Sequence, residues 1–214
     1  MDLKQAMIDD AELVRLMKAI ASADGTVVFG LLNAFPALAK ATLKEGAMGT
    51  ATDPFLTEIK HYVYAGDTAL HVAAAAHWPE VARALIGLGA DVTAGNRRSA
   101  TPLHYAADGI PGSPKWNPVR QSATVALLIA SGADPNAVDQ NGVTPLHRAV
   151  RTRCAAAAST LLDGGADALL KNGNGSTPMF LATRPTGRGG SGSPEAKAQQ
   201  AEIIRLLERY GATP

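Results

Sequence analysis

A four-residue pattern occurs four times in this chain at nearly constant spacing, and it constrains the fold more than any other feature. The copies are Thr68-Ala-Leu-His71, Thr101-Pro-Leu-His104, Thr144-Pro-Leu-His147 and Thr177-Pro-Met-Phe180. Their threonines are 33, 43 and 33 residues apart. A unit of this length cannot bury an apolar face alone, so the chain is expected to stack its units around one elongated core.

A second pattern follows the first in each unit. Gly-Ala-Asp begins at Gly89, Gly132 and Gly165, and Gly211-Ala212 is the fourth copy. A leucine lies four residues before each glycine, namely Leu85, Leu128, Leu161 and Leu207. Threonine is a preferred N-cap, proline suits the first helical position, and glycine ends a helix with a positive φ. Each unit therefore predicts two short helices, which need their neighbours because such helices are marginal in water.

These phased motifs resemble the ankyrin repeat, whose period is 33 residues and whose signature is Thr-Pro-Leu-His. The resemblance covers residues 63–212 and implies an all-α solenoid of helix-turn-helix pairs joined by short finger turns. Leu13, Leu16, Met17 and Ile20 repeat at helical spacing and indicate a divergent N-terminal capping repeat, which makes about five repeats. The short, alanine-rich array with its divergent cap is similar to bacterial ankyrin proteins.

The predicted organisation is a single domain over residues 1–214. Its units are a capping repeat at 1–38, an inserted finger loop at 39–62, repeat 1 at 63–95, repeat 2 at 96–138 with an insertion at 109–118, repeat 3 at 139–171, and a terminal repeat at 172–214 with an insertion at 185–194. Insertions are informative because loops and the concave face carry function in such arrays.

Charge and cysteine content narrow the classes of function. The formal net charge is +1, which predicts neither nucleic-acid nor membrane binding. One cysteine, Cys154, gives no disulfide framework. The N-terminus lacks the apolar core of a signal peptide, and no apolar run approaches the ~18 residues of a membrane span. We therefore expect a cytoplasmic protein.

Residue types that carry chemistry do not form a catalytic pattern, so we predict no catalytic residues, no metal site and no cofactor. His71, His104 and His147 recur at one repeat position. Stacked repeats lie ~10 Å apart, too far for two of these imidazoles to bind one metal ion. In ankyrin repeats this histidine braces the turn. Cys154 is interpreted as a small core or turn residue.

The remaining candidate is a surface for a protein partner. In ankyrin domains, partner contacts come mainly from the finger turns and the exposed side of the first helix. The matching finger positions are Tyr64, Arg97, Arg98, Gln140, Asn141 and Asn174. The matching first-helix positions are Tyr105, Asp108, Arg148, Arg151 and Arg184. This basic, tyrosine-bearing surface predicts a partner with an acidic segment.

Two alternatives stay open. Trp78 and Trp116 are expected on one edge, where they either cover their own helix ends or form a second contact site. Residues 39–67 contain His61, Tyr62, Tyr64 and Asp67, which could line a pocket with the groove in a small-ligand sensor or an enzyme. No spacing here matches a catalytic motif, so a non-enzymatic, monomeric interaction module is the leading hypothesis.

Overall fold

Helices arranged in pairs make up most of the chain in the computed structural model, which describes residues 10–46, 55–184 and 193–213. The helices are α1 Asp10–Ala21, α2 Gly25–Ala34, a 3-10 helix at Pro36–Lys40, α3 Ala69–Ala75, α4 Pro79–Gly87, α5 Pro102–Ala107, α6 Pro118–Ala130, α7 Pro145–Arg151, α8 Ala155–Asp163, α9 Pro178–Thr183 and α10 Pro194–Arg209. Two short strands, β1 Phe55–Leu56 and β2 His61–Tyr62, precede α3.

The helix pairs stack side by side. The first helices α1, α3, α5, α7 and α9 pack in one row, and the second helices α4, α6, α8 and α10 pack in another. The four leucines that precede the Gly-Ala pairs are fully buried between these rows. The prediction of an all-α solenoid is confirmed, and the stack fixes one edge on which the loops between repeats line up.

The glycines of the second motif end the second helices as predicted. Gly89, Gly132, Gly165 and Gly211 all have φ between +81° and +99°. In each case the N–H of the following alanine donates to the carbonyl of the leucine four residues before the glycine, at 2.9–3.0 Å. This 6→1 bond is the Schellman arrangement, which satisfies a carbonyl that the helix end would otherwise leave bare.

The repeated histidines brace the start of each first helix against the next repeat. The Thr101 N–H donates to Nδ1 of His104 at 3.1 Å, so the ring proton is on Nε2, which lies 2.9 Å from the Val143 carbonyl oxygen. His71 and His147 repeat this geometry on the Ala100 and Ser176 carbonyls. Phe180 takes the histidine position in the last repeat and is exposed.

This bracing makes the stability of the fold depend on pH. Burial lowers the pKa of His104 from 6.5 to about 4 and also lowers the pKa values of His71 and His147. The unfolded chain therefore binds more protons than the fold between those pH values, and stability falls as the pH drops from 6.5 towards 4. We expect His104 alone to cost roughly 3 kcal/mol of unfolding free energy over this window.

Urea unfolding at pH 7 and pH 4, with wild type and a His104→Gln variant, measures this contribution. The variant starts less stable at pH 7 but should lose less stability on acidification than wild type. Equal losses in the two proteins would show that His104 does not titrate with a lowered pKa.

Repeats with an insertion close their helix pair differently from those without one. In repeats 1 and 3 a residue with positive φ makes the tight turn, His77 in one and Arg153 in the other. Between α5 and α6, where the insertion at 109–118 is predicted, the Gln121 side-chain amide donates instead to the carbonyls of residues 106–108. In the last repeat the Gln200 side-chain amide of α10 donates in a similar way to the Ala182 carbonyl of α9. Most of the predicted insertion at 185–194 lies outside the described residues.

The segment predicted as an inserted finger loop contains regular structure. The 3-10 helix at Pro36–Lys40 is followed by a backbone bridge between Thr42 and Thr68, and β1 pairs antiparallel with β2. Leu56 and Val63 are buried whereas Phe55 and Tyr62 are exposed. This two-residue alternation is the pattern of a half-buried hairpin, so describing residues 39–62 only as a loop was incomplete.

Candidate functional site

The finger turns form a continuous row held by backbone hydrogen bonds. An N–H of each turn donates to a carbonyl of the turn before it: Gly66 to Leu43, Arg97 to Ala65, Gln140 to Arg98, and Gly173 to Asn141, at 2.7–2.9 Å. Because each finger is tied to the next, side chains on successive fingers keep a fixed spacing. The predicted finger residues therefore lie along one edge of the solenoid.

An aromatic and cationic cluster lies at the N-terminal end of this row. The Tyr64 ring has the Arg97 guanidinium 5.3 Å and the Arg98 guanidinium 5.0 Å from its centroid. The Arg98 Nη1 also donates to the Tyr64 hydroxyl at 3.1 Å. Both arginines are exposed and Tyr64 is half-buried. The cluster therefore presents two fixed positive charges on an aromatic support.

The hairpin extends this cluster with two more rings. Phe55 pairs with Tyr62 across the two strands, with ring centroids 4.7 Å apart, and Tyr62 lies 6.5 Å from Tyr64. Phe55 is 42% exposed and Tyr62 is 47% exposed. We call Phe55, Tyr62, Tyr64, Arg97 and Arg98 the hairpin platform. Phe55 was not predicted as a site residue, because the repeat pattern does not extend to the hairpin.

Tyr105 does not lie on the exposed side of its helix, so that prediction is wrong. The residue is 2% exposed, and its hydroxyl donates to Oδ2 of Asp67 at 2.9 Å. Asn96 donates to Oδ1 of Asp67 and to the Tyr105 oxygen, each at 2.9 Å. Burial and then the charge of Asp67 raise the pKa of the Tyr105 hydroxyl, so it remains a donor. We call the buried, hydrogen-bonded set Tyr105, Asp67 and Asn96 the groove floor.

Arg148 is likewise not a free groove cation, contrary to the sequence prediction. Its side chain is 12% exposed and binds Asp108 at 3.0 Å and Asp139 at 3.2 Å. Burial alone would lower the pKa of Arg148, but Asp108 and Asp139 raise it above its ordinary value. Burial alone would raise the pKa of Asp139, and backbone N–H groups together with Arg148 lower it. Asp108 and Arg148 therefore neutralise each other inside the groove.

Other predicted residues do line the surface. Arg184 is exposed and lies 4.7 Å from the Phe180 ring centroid, while Arg151 is half-buried on α7. Gln140, Asn141 and Asn174 are exposed on the third and fourth fingers. The backbone there is held by carboxylate and amide side chains of the same turns, as in the Asn174 N–H bond to Asn172 Oδ1 at 3.0 Å. The polar side chains of these two turns are therefore exposed on a backbone that hydrogen bonds hold in place.

The two tryptophans are both engaged with their own chain. Trp78 is half-buried and packs against the core, with its ring beside Gly25 of α2. The Trp116 indole N–H donates to Oε1 of Gln121 at 2.9 Å, next to the end of α5. Trp116 lies against the end of its own helix α5, as the first of the two interpretations expects, whereas the Trp78 ring contacts α2 of the preceding repeat.

Two of the residues considered for a chemical role, Cys154 and Asp67, are buried. Cys154 is fully buried, and burial raises the pKa of its thiol to about 11. Asp67 is fully buried while Tyr62 is 47% exposed on the outer face of the hairpin, so these two side chains do not face the same opening. In the described ranges, no three His, Cys, Asp or Glu side chains are placed to hold a metal ion.

An open depression of about 420 Å³ lies between α1, the start of α2 and the first strand of the hairpin. Phe55 of the hairpin platform lines it together with Arg15, Lys18 and Glu58. None of the helices in the described segments is long and apolar enough to span a bilayer.

Comparison with protein families gives two matches to the same kind of repeat. Residues 119–190 match ankyrin repeats in three copies, and residues 65–97 match a single ankyrin repeat. The range 65–97 contains α3 and α4, and the range 119–190 contains nearly all of α6 together with α7, α8 and α9. No curated protein matches the chain.

Proposed function

Since this chain is an ankyrin-repeat protein, we propose that it acts without catalysis by binding another protein along its row of fingers and the adjoining first helices. Ankyrin repeats are generally protein–protein interaction modules. The observation that carries the proposal is the braced finger row, which holds tyrosine, arginine and amide side chains at fixed spacing along one edge. Preorganised side chains of these types suit protein contacts because little entropy is lost on binding.

The charges of this surface favour a partner with an acidic segment. Arg148 is neutralised by Asp108 and Asp139, so it does not supply the free positive charge that the sequence predicted at this position. Arg97, Arg98 and Arg184 remain exposed near its two ends. We therefore place the electrostatic attraction at the ends of the surface, with polar contacts from Gln140, Asn141 and Asn174 between them.

Affinity purification from the source cell, using the full chain as bait, tests the proposal. The test variant combines Arg98→Glu with Arg184→Glu, and the matched control combines Arg83→Glu with Arg205→Glu on exposed positions of the second helices. We expect a protein recovered by wild type and control to be reduced about tenfold or more with the test variant. If all three baits melt at the same temperature and recover the protein equally, the concave surface is not its binding site.

A further inference from the structure

The hairpin platform differs from the rest of the finger row in its density of exposed rings. Strand alternation turns Leu56 and Val63 inward and Phe55 and Tyr62 outward, and the cross-strand pairing brings those two rings to 4.7 Å. Tyr64 continues the same face. Three neighbouring aromatic side chains on one short hairpin offer an apolar contact area that Gln140, Asn141 and Asn174 do not provide.

Positive charge borders these rings. Arg97 and Arg98 both stack on Tyr64 from the neighbouring finger. Across the described ranges Arg98 makes no ion pair, and its one hydrogen-bond acceptor for the side chain is the Tyr64 hydroxyl. A guanidinium has five N–H donors in a fork that matches a carboxylate, so Arg98 retains donors for one. Glu58 and Lys60 are both exposed in the hairpin turn and carry opposite formal charges, so together they add no net charge beside the platform.

The groove floor holds the platform in place. The His61 ring stacks on the buried Tyr105 ring with centroids 4.2 Å apart, and Tyr105 is fixed by Asp67. The same carboxylate accepts the Tyr64 backbone N–H at 2.7 Å. The Arg97 backbone N–H donates to the Ala65 carbonyl at 2.8 Å and so ties the finger that carries the two arginines to the finger that carries Tyr64. The rings and the guanidinium groups are thus preorganised, which reduces the entropic cost of binding.

From these contacts we infer that the hairpin platform recognises a protein segment in which an Asp or Glu lies next to an aromatic or large aliphatic side chain. The apolar side chain packs on Phe55 and Tyr62, and the carboxylate binds the Arg98 guanidinium beside Tyr64. The inference rests on the proposed function and names the part of the surface that sets specificity. An anionic nucleic acid fits less well, because the chain has a net charge of only +1 and two guanidinium groups neutralise few phosphates.

Selection of displayed random peptides against the full chain, followed by fluorescence anisotropy with the most enriched peptide, tests the inference. We expect enriched peptides to pair Asp or Glu with Phe, Tyr, Leu or Ile. Tyr62→Ala and Arg98→Glu should each weaken that peptide about tenfold or more, since each removes one anchor of the contact. Replacing the acids of the peptide by their amides should weaken wild-type binding by a similar factor and should remove much of its salt dependence.

The matched controls are Tyr210→Ala and Arg83→Glu, which remove a ring and a charge from other surfaces and should change affinity less than about twofold. Enrichment of peptides without the acidic–apolar pairing, failure to enrich any peptide, or tighter binding of an oligothymidylate than of the peptide would overturn the inference. If the peptide is lost with Arg184→Glu and retained with Tyr62→Ala and Arg98→Glu, the proposed function stands and the hairpin platform is not its specificity site.

Discussion

Replacing Arg148 with methionine is expected to lower the free energy of unfolding by about 3–5 kcal/mol, the usual cost of removing one partner from a buried charge cluster. Arg148 binds two carboxylates, Asp108 and Asp139, at 3.0 and 3.2 Å in a site where each side chain is at most 22% exposed. Methionine fills much of the arginine volume but leaves two negative charges facing each other with little water to screen them.

The effect should depend on pH in a defined direction. In the wild type the pKa of Asp139 is lowered, so the stability it contributes is present above pH 3.8 and is lost as the pH falls through the lower folded value. In the variant the part of that contribution that comes from Arg148 is absent, while the backbone N–H bonds of Asn141 and Val143 to Asp139 remain. Protonation of Asp139 then also removes its repulsion by the neighbouring carboxylate. The difference between wild type and variant should therefore be larger at pH 7 than at pH 3.

An exposed ion pair provides the control for Arg148. Arg120 binds Glu80 at 2.6 Å on the second-helix side, with side chains 42% and 60% exposed. Arg120→Met should cost only about 0–1 kcal/mol, because water already solvates both charges. Urea denaturation at both pH values measures all three proteins. A loss for Arg148→Met as small as that for Arg120→Met would mean that the groove cluster is open to solvent.

The features that the sequence predicted correctly depend on short-range chemistry. A threonine N-cap with its histidine, and a glycine that ends the second helix, act within five residues of themselves, so their pattern is visible in one repeat. Four phased copies then leave stacking as the only way to bury Leu85 and its equivalents. For this reason the all-α solenoid followed from the motifs. The histidine bracing was expected from the resemblance to ankyrin repeats, because its bond to the next repeat spans 29–39 residues.

The site residues were predicted less well because their environment comes from distant parts of the chain. The helical phase of α5 and α7 indicated which face Tyr105 and Arg148 share, but not that Asp67 lies 38 residues from Tyr105, or Asp108 40 residues from Arg148, in contact with them. A basic residue and a carboxylate that neutralise each other look like two separate surface charges in the sequence. The hairpin platform also required a pairing of Phe55 with Tyr62 that the repeat pattern does not encode.

Leu128→Ala is expected to cost about 2–5 kcal/mol, because it removes a fully buried side chain from the interior of the stack. Leu128 lies on α6, which packs against α4 on one side and α8 on the other. In a solenoid each repeat is stabilised by its neighbours, so a cavity in the second repeat weakens two interfaces at once. The loss should be visible as a lower denaturation midpoint in urea.

Leu169→Ala is the matched control, since it makes the same chemical change at a side chain that is 56% exposed. It should alter stability by less than about 0.5 kcal/mol, because little apolar surface is returned to water. Native-state hydrogen exchange would add a second readout: α4, α6 and α8 should lose protection together in Leu128→Ala, whereas α1 should change least. Similar losses for the two leucine variants would contradict the buried position of Leu128 between the helix rows.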